Sequence, residues 1–333
     1  MTVALPDPVQ RISDLGGAAV QLPLRMLGTL AEPVRSGLGR DVRRSLGIPD
    51  GPARPATDPA ESYLAPDGVA RRVHADLPSM VYGGLSALLL QSLHPLAMAG
   101  VADHSNYAED PHGRLRRTAA FVGTTTFGST ADARRAIDQV LRVHRRVRGI
   151  APDGRPYAAD DPELVTWVHV AEMSSFLRSA QRFGPHRLTR AECDAYYDET
   201  AVLAHGLGAT WAPRSVDEAT AYLRRMRPEL YAGPQAVAAR DFLLRGTATR
   251  PEDRVVYAVI VGAAVGLLPR WARAELGIPH PPLVDRVALV PPARVLASLL
   301  RWAMAPDRSG SSDSRPAPSG LREPEEPPGR DGR

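Results

Sequence analysis

The stretch from Asp110 to Gly149, DPHGRLRRTAAFVGTTTFGSTADARRAIDQVLRVHRRVRG, predicts two consecutive helices. Asp110 can cap the first helix, and Pro111 suits its first position because the N–H that proline lacks has no helical partner there. The second helix is predicted to start at Ser129 or Thr130 and to end at Gly149, since arginines favour last turns and glycine often follows them. Its apolar side chains recur at helical spacing, at Ala133, Ile137, Val140, Leu141 and Val147.

Three polar residues of this stretch are candidates for a functional site. Arg114 and Thr118 stand four residues apart, which places them on one face of the first predicted helix. His144 lies on the apolar stripe of the second predicted helix rather than on its arginine-rich face. Two interpretations of His144 stay open on spacing alone. It is either a core imidazole hydrogen-bonded to a backbone carbonyl, or a neutral imidazole that binds a metal from an apolar pocket.

The flanking chain is also predicted to be helical. Asp161 and Pro162 repeat the cap-and-proline start, and their helix is apolar on nearly all sides up to about Phe183, as expected at the centre of a bundle. Ser215 and Glu218 match a capping box. Because no stretch alternates between apolar and polar residues, the predicted fold class is all-α, a single multi-helix bundle-like domain. Further helices are predicted at residues 79–94, 189–207, 215–225, 234–245, 254–268 and 295–304.

Composition divides the chain into three parts. Residues 1–59 are predicted to form an N-terminal helical extension and a proline-rich linker. Residues 60–304 contain the predicted bundle. Residues 305–333 are rich in proline, serine, glycine and charged side chains, so they are predicted to be a disordered tail.

Charge and cysteine content exclude several classes of protein. All 41 basic residues are arginine, which excludes lysine-based Schiff bases and phosphate-loop lysines. The net charge is only +4 and aromatic residues make up 5% of the chain, so no nucleic-acid partner is expected. Cys193 is the only cysteine, which excludes an internal disulfide, a covalent haem attachment and a cysteine-rich zinc site.

One uncharged run, residues 77–102, is long enough to cross a membrane. Pro95 is expected to break or kink any helix there at His94, so a buried helix pair is predicted instead. The N-terminus also lacks the pattern of a secretory signal. We therefore expect a cytoplasmic protein without an integral membrane span.

Four segments, taken in order, resemble one known family. LLQSLHPLAMAGVADHS, DPHGRLRRT, VLRVHRRVRG and YAADDPELVTWVHVAEMSSF are similar to the oxygenase family that includes the latex-clearing (rubber) oxygenases and the fungal MpaB-type oxygenases. The resemblance covers about residues 60–275. It implies a largely helical fold, and rubber oxygenases hold a non-covalent b-type haem through one histidine.

The resemblance also implies roles for five residues. His144 matches the axial iron ligand, and Arg114 and Thr118 match an Arg-x-x-x-Thr pair beside the haem, on its oxygen side. His169 matches a further family histidine. Arg117 stands where some rubber oxygenases carry a lysine near the haem, and an arginine there is larger and does not titrate.

These observations predict a haem b-dependent oxygenase with a buried haem pocket that acts with O2 on an apolar substrate, such as an isoprenoid or another secondary metabolite. The alternative is a non-catalytic helical haem-binding or interaction protein. A mixed non-haem metal site from His94, His144 and His169 also stays open. The chain has no His-Glu-x-x-His, no Gly-x-Ser-x-Gly and no paired Glu-x-x-His motifs, which argues against a zinc protease, a common hydrolase and a di-iron bundle. The sequence does not indicate the oligomeric state.

Overall fold

The computed structural model describes residues 59–105, 109–246, 251–278 and 282–304. Within these ranges the protein is mostly helical, as predicted. The predicted N-terminal extension and disordered tail lie outside the described residues. The helices are α1 Val69–His74, α2 Leu77–Gln91, α3 Pro95–His104, α4 Pro111–Phe127, α5 Thr130–His144, α6 Pro162–Phe183, α7 Arg190–Gly206, α8 Val216–Met226, α9 Pro234–Arg245, α10 Pro251–Leu267, α11 Arg270–Glu275 and α12 Val290–Met304.

Short helical pieces and one small sheet complete the described fold. The short pieces are the 3₁₀ turns Pro59–Glu61 and Arg227–Glu229, the helical turn Pro282–Val284 and the π-helical segment Asp285–Leu289. The sheet has two antiparallel strands, β1 Arg148–Ile150 and β2 Pro156–Ala158.

The predicted helix starts are confirmed by their capping hydrogen bonds. The side chains of Asp110, Ser129 and Asp161 each accept a backbone N–H from the first turn, at 2.8, 3.1 and 2.8 Å. The capping box predicted at Ser215 forms only in part. The hydroxyl of Ser215 accepts the backbone N–H of Glu218, as a capping box requires. The Glu218 carboxylate, however, accepts the backbone N–H of Arg214 instead of that of Ser215.

Helix α6 lies at the centre of the bundle, as its apolar sequence predicts. It packs along α2 and also contacts α1, α7, α8 and α10. The side chains of Trp167 and Val170 are fully buried, and the Trp167 indole N–H donates to the carbonyl of Gln91 at 3.3 Å. The long contact between α2 and α6 therefore forms the centre of the hydrophobic core.

The uncharged run that could have crossed a membrane forms a bent pair of helices. Helices α2 and α3 meet at an angle of 105° beside Pro95, and α2 buries Tyr82, Leu89 and Leu90 completely. A second segment, Asp285–Met304, is also long and apolar enough to cross a membrane, and 17% of its apolar window is buried. The bent α2–α3 pair and Asp285–Met304 are candidates for membrane-spanning segments by length and hydropathy only.

The predicted end of the second helix is wrong. Helix α5 ends at His144 rather than at Gly149, because Arg148–Ile150 forms β1 and pairs with β2. The chain reverses between the two strands at Gly154, which adopts the left-handed conformation with a φ of 86°. Strands of three residues are too short to show the alternation by which strands are recognised.

The crossing of α2 over α6 supplies a matched test of packing. A Cβ on Gly83 would lie 3.0 Å from the Phe176 Cα and 3.1 Å from the Ser175 carbonyl oxygen, whereas a Cβ on Gly84 would lie 3.7 Å from the Phe176 ring. We expect Gly83→Ala to lower the free energy of unfolding by about 1–3 kcal/mol through overpacking. Gly84→Ala should be neutral or stabilise by up to about 1 kcal/mol, since alanine favours helix. Denaturant unfolding of both variants checks the difference, and equal stabilities would contradict the close approach.

Candidate functional site

Helices α4 and α5 form a hairpin that carries most of the predicted site. Gly128 and Ser129 join the two helices, which contact each other. At about 1.5 Å per residue, Arg114 and His144 each lie about 20 Å along their helix from this turn. Both residues therefore lie at the end of the hairpin that is remote from its turn.

The C-terminal end of α3 connects the two sides of this region. The guanidinium of Arg114 donates to the hydroxyl of Ser105, directly after α3. The ring Nε2 of His104 lies 3.1 Å from the hydroxyl of Tyr157 in β2, and that hydroxyl donates to Asp103 at 2.6 Å. Burial, and then the hydrogen bond to Asp103, raise the pKa of Tyr157 to about 12. The first half of α4 and the sheet that follows α5 are thus both attached to one helix end.

His144 is half-buried at the C-terminal end of α5. Burial lowers the pKa of its imidazole, and the carboxylate of Asp160 opposes this shift only in part. Its Nδ1 is enclosed and has no hydrogen-bond partner in the described part of the chain. Asp160 instead forms an ion pair with Arg148, at 2.7 Å. The hydrogen bond to a backbone carbonyl expected of a core imidazole is therefore absent at Nδ1.

His169 is buried in the middle of α6, on the side of α1 and α7. Its Nε2 is enclosed and has no partner within the described ranges, and burial lowers its pKa to about 4, with a further contribution from His205. Nearby His74 differs, because its two ring nitrogens lie 2.8 Å from the Thr126 hydroxyl and 3.0 Å from the Tyr196 hydroxyl. His74 is thus a core residue with both ring nitrogens hydrogen-bonded, whereas one ring nitrogen of His169 has no partner in the described part of the chain.

The three candidates on α4 differ in exposure. Arg114 is half-buried, and Thr118 is exposed. Arg117 is 70% exposed and pairs with Asp110 at 3.4 Å. The i, i+4 relation of Arg114 and Thr118 is present as predicted, while Arg117 is held at the surface near the start of the helix.

The mixed non-haem site is not formed by the residues that the structure describes. Among them, no three His, Cys, Asp or Glu side chains stand close enough together to hold a metal ion. His94 instead packs beside Trp167, with ring centres 5.8 Å apart, and burial lowers its pKa to about 4. The suggestion that His94, His144 and His169 share one metal is therefore corrected.

Two cavities lie away from the predicted residues. One of about 30 Å³ is lined by residues of the α2–α3 junction and the start of α9, including Pro95 and Pro234. The other, of about 410 Å³, is an open depression at the end of α9 that includes Phe242 and Arg245. Neither is lined by His144, His169 or Arg114, so the buried haem pocket stays a prediction.

The sequence analysis did not select Glu172 as a site residue. It lies one turn after His169 on α6 and is half-buried, and burial raises the pKa of its carboxyl to about 7. On the same helix, Val168 is 38% exposed although most side chains around it are buried. The sequence signal that could have identified Glu172 is the presence of an acidic residue within an otherwise apolar helix. Together these residues mark an incompletely covered side of the central helix.

Comparison with known proteins identifies one family. Residues 71–302 match the family described as "ER-bound oxygenase mpaB/B'/Rubber oxygenase, catalytic domain". The matched region covers more than two thirds of the chain and extends further toward the C-terminus than the four similar segments. No curated protein and no solved structure matches the chain significantly.

Proposed function

Since this chain belongs to the MpaB and rubber oxygenase family, we propose that it is a haem b-dependent oxygenase that acts on a small apolar substrate, with His144 as the axial ligand of the iron. The observation that carries this proposal is the imidazole of His144, whose pKa is lowered by burial and whose enclosed Nδ1 has no partner among the described residues. Buried polar atoms in proteins are almost always paired. An unpaired one at this position supports a partner that the chain itself does not supply.

The residues around His144 fit a haem better than a compact metal site. Haem iron needs only one strong donor from the protein, and a neutral imidazole is suited to that role. The rest of a porphyrin needs apolar walls, and Leu115, next to Arg114 on α4, is a large apolar side chain that reaches solvent. His169 is a second histidine that matches the family, and its enclosed Nε2 likewise has no partner among the described residues.

When bound, haem supplies the redox-active iron that oxygenation chemistry requires. The protein contributes hydrogen-bond donors on the oxygen side. The guanidinium of Arg114 is always charged, and its hydrogen bond to Ser105 fixes its direction. With the hydroxyl of Thr118 one turn along, it can orient dioxygen or an entering water and exclude other orientations. Arg117, at the exposed edge, would hold a haem propionate in exchange for its surface ion pair with Asp110.

Alanine substitutions of Arg114 and Thr118 test this assignment. We expect either variant to keep its haem and to lose at least about tenfold in the rate of dioxygen consumption with an apolar polyisoprenoid substrate, because one orienting donor is removed. Arg116→Ala is the matched control, since this arginine is exposed on the same helix. A variant with full turnover removes that residue from the catalytic assignment.

Isotope incorporation separates the oxygenase from a non-catalytic haem-binding protein. The haem-loaded chain is incubated with apolar substrates under isotopically labelled dioxygen, and the products are analysed by mass spectrometry. We expect label in the product. Stoichiometric haem without incorporation into any substrate of the panel would favour the non-catalytic alternative.

A further inference from the structure

The end of α5 and the following strand carry an unusual group of exposed side chains, which we call the arginine surface. It consists of Arg142, Arg145 and Arg146 together with the aliphatic residues Val143 and Ile150. Val143 is 55% exposed and Ile150 is 65% exposed. Cations and large aliphatic side chains therefore reach solvent together on a segment of nine residues.

The three arginines of this surface have no ion-pair partner among the residues that the structure describes. None of them forms an ion pair or a side-chain hydrogen bond with a residue in the described ranges. By contrast, neighbouring Arg148 pairs with Asp160, and Arg135 at the other end of α5 pairs with Asp132. The arginine surface is thus a local concentration of positive charge on a chain whose net charge is only +4.

We propose that the arginine surface docks the protein onto a membrane that contains anionic phospholipids. Arginines on a helix face bind anionic headgroups, and aliphatic side chains between them enter the boundary between headgroups and acyl chains. A nucleic acid fits less well, since its backbone offers no contact for Val143 and Ile150, and the surface holds no aromatic side chain for a base to stack on. Charge complementarity and exposed aliphatic area together select the lipid surface.

Docking here has a consequence for substrate access that rests on the proposed function. His144 follows Val143 directly and precedes Arg145, so docking places the end of α5 that carries the proposed haem ligand at the membrane surface, with the ring of His144 on the apolar face of that helix. An apolar substrate dissolved in the membrane then reaches the site without crossing water. The docking itself does not depend on haem.

Vesicle sedimentation with the full-length protein tests the proposal. We expect binding to phosphatidylcholine vesicles that contain phosphatidylserine, little binding to pure phosphatidylcholine vesicles, and release by high salt. The triple variant Arg142→Gln, Arg145→Gln and Arg146→Gln should bind at least about tenfold more weakly. Val143→Ser with Ile150→Ser should weaken binding severalfold while leaving its salt dependence in place.

A matched variant removes the same charge elsewhere. Arg187→Gln, Arg224→Gln and Arg270→Gln replace three exposed arginines outside the arginine surface, and this variant should bind as the wild type does. Circular dichroism and melting temperature verify that each variant is folded, and haem content is measured on the same samples so that the proposed function is judged separately. Equal binding by both triple variants overturns the proposal. So does a wild type that ignores anionic vesicles, and its retention on immobilised polyglutamate would then point to an acidic protein.

Discussion

Replacing His144 with alanine is expected to reduce haem content to less than about a tenth of the wild-type value while leaving helical content unchanged. The iron loses its proposed axial donor, and the neighbouring histidines do not replace it. His169 and His74 are buried in the core, and His104 is engaged with Tyr157. Because His144 is half-buried at the last position of α5, its truncation should cost no more than about 1 kcal/mol of stability.

Haem content by the pyridine haemochrome assay and far-ultraviolet circular dichroism measure the two parts of this expectation. His186→Ala is the matched control, because His186 is an exposed histidine in the loop after α6 and should not affect haem. If His144→Ala keeps its haem with an unchanged absorption spectrum, the ligand assignment is wrong.

Removing the side chain of Arg301 should lower the stability of the domain much more than removing an arginine from a surface ion pair. The guanidinium of Arg301 on α12 binds both carboxylate oxygens of Asp76, each at 2.7 Å, and also donates to the carbonyl of Phe183. The Asp76 side chain is only 9% exposed. Arg301→Ala therefore leaves an enclosed carboxylate without its cation and should lower the free energy of unfolding by about 3 kcal/mol.

Thermal and denaturant unfolding measure this loss, which corresponds to a melting temperature about 6–12 °C lower for a domain of this size. Arg135→Ala is the comparison, because Arg135 forms a surface pair with Asp132 and is 71% exposed. Its effect should stay within about 0.5 kcal/mol. Similar losses for the two variants would mean that the tie between α12 and α2 does not stabilise the domain.

Local signals predicted most of the helices. The caps at Asp110, Ser129 and Asp161 depend on side chains that bond to N–H groups two or three residues away, so spacing suffices to find them. The sequence of α6, which is apolar on nearly all sides of the helix, likewise indicated its central position. The sheet was missed because β1 exists through pairing with β2 rather than through its own pattern.

The site was predictable only as far as it is local. The i, i+4 relation of Arg114 and Thr118 and the position of His144 on an apolar stripe follow from spacing. The attachment of Arg114 to Ser105 and the pairing of His74 with Thr126 and Tyr196 do not, since these partners come from different helices. Which of several histidines keeps an unpaired nitrogen is decided by tertiary packing, and the sequence holds no short-range record of it.

The central claim is that this chain binds haem b for oxygenase chemistry, and titration of the purified full-length protein with haemin tests it most directly. Absorption in the Soret region is followed as haemin is added. We predict saturation at one haem per chain, with a spectrum typical of histidine ligation. Addition that yields only the spectrum of free haemin, with no saturable change, would contradict the account.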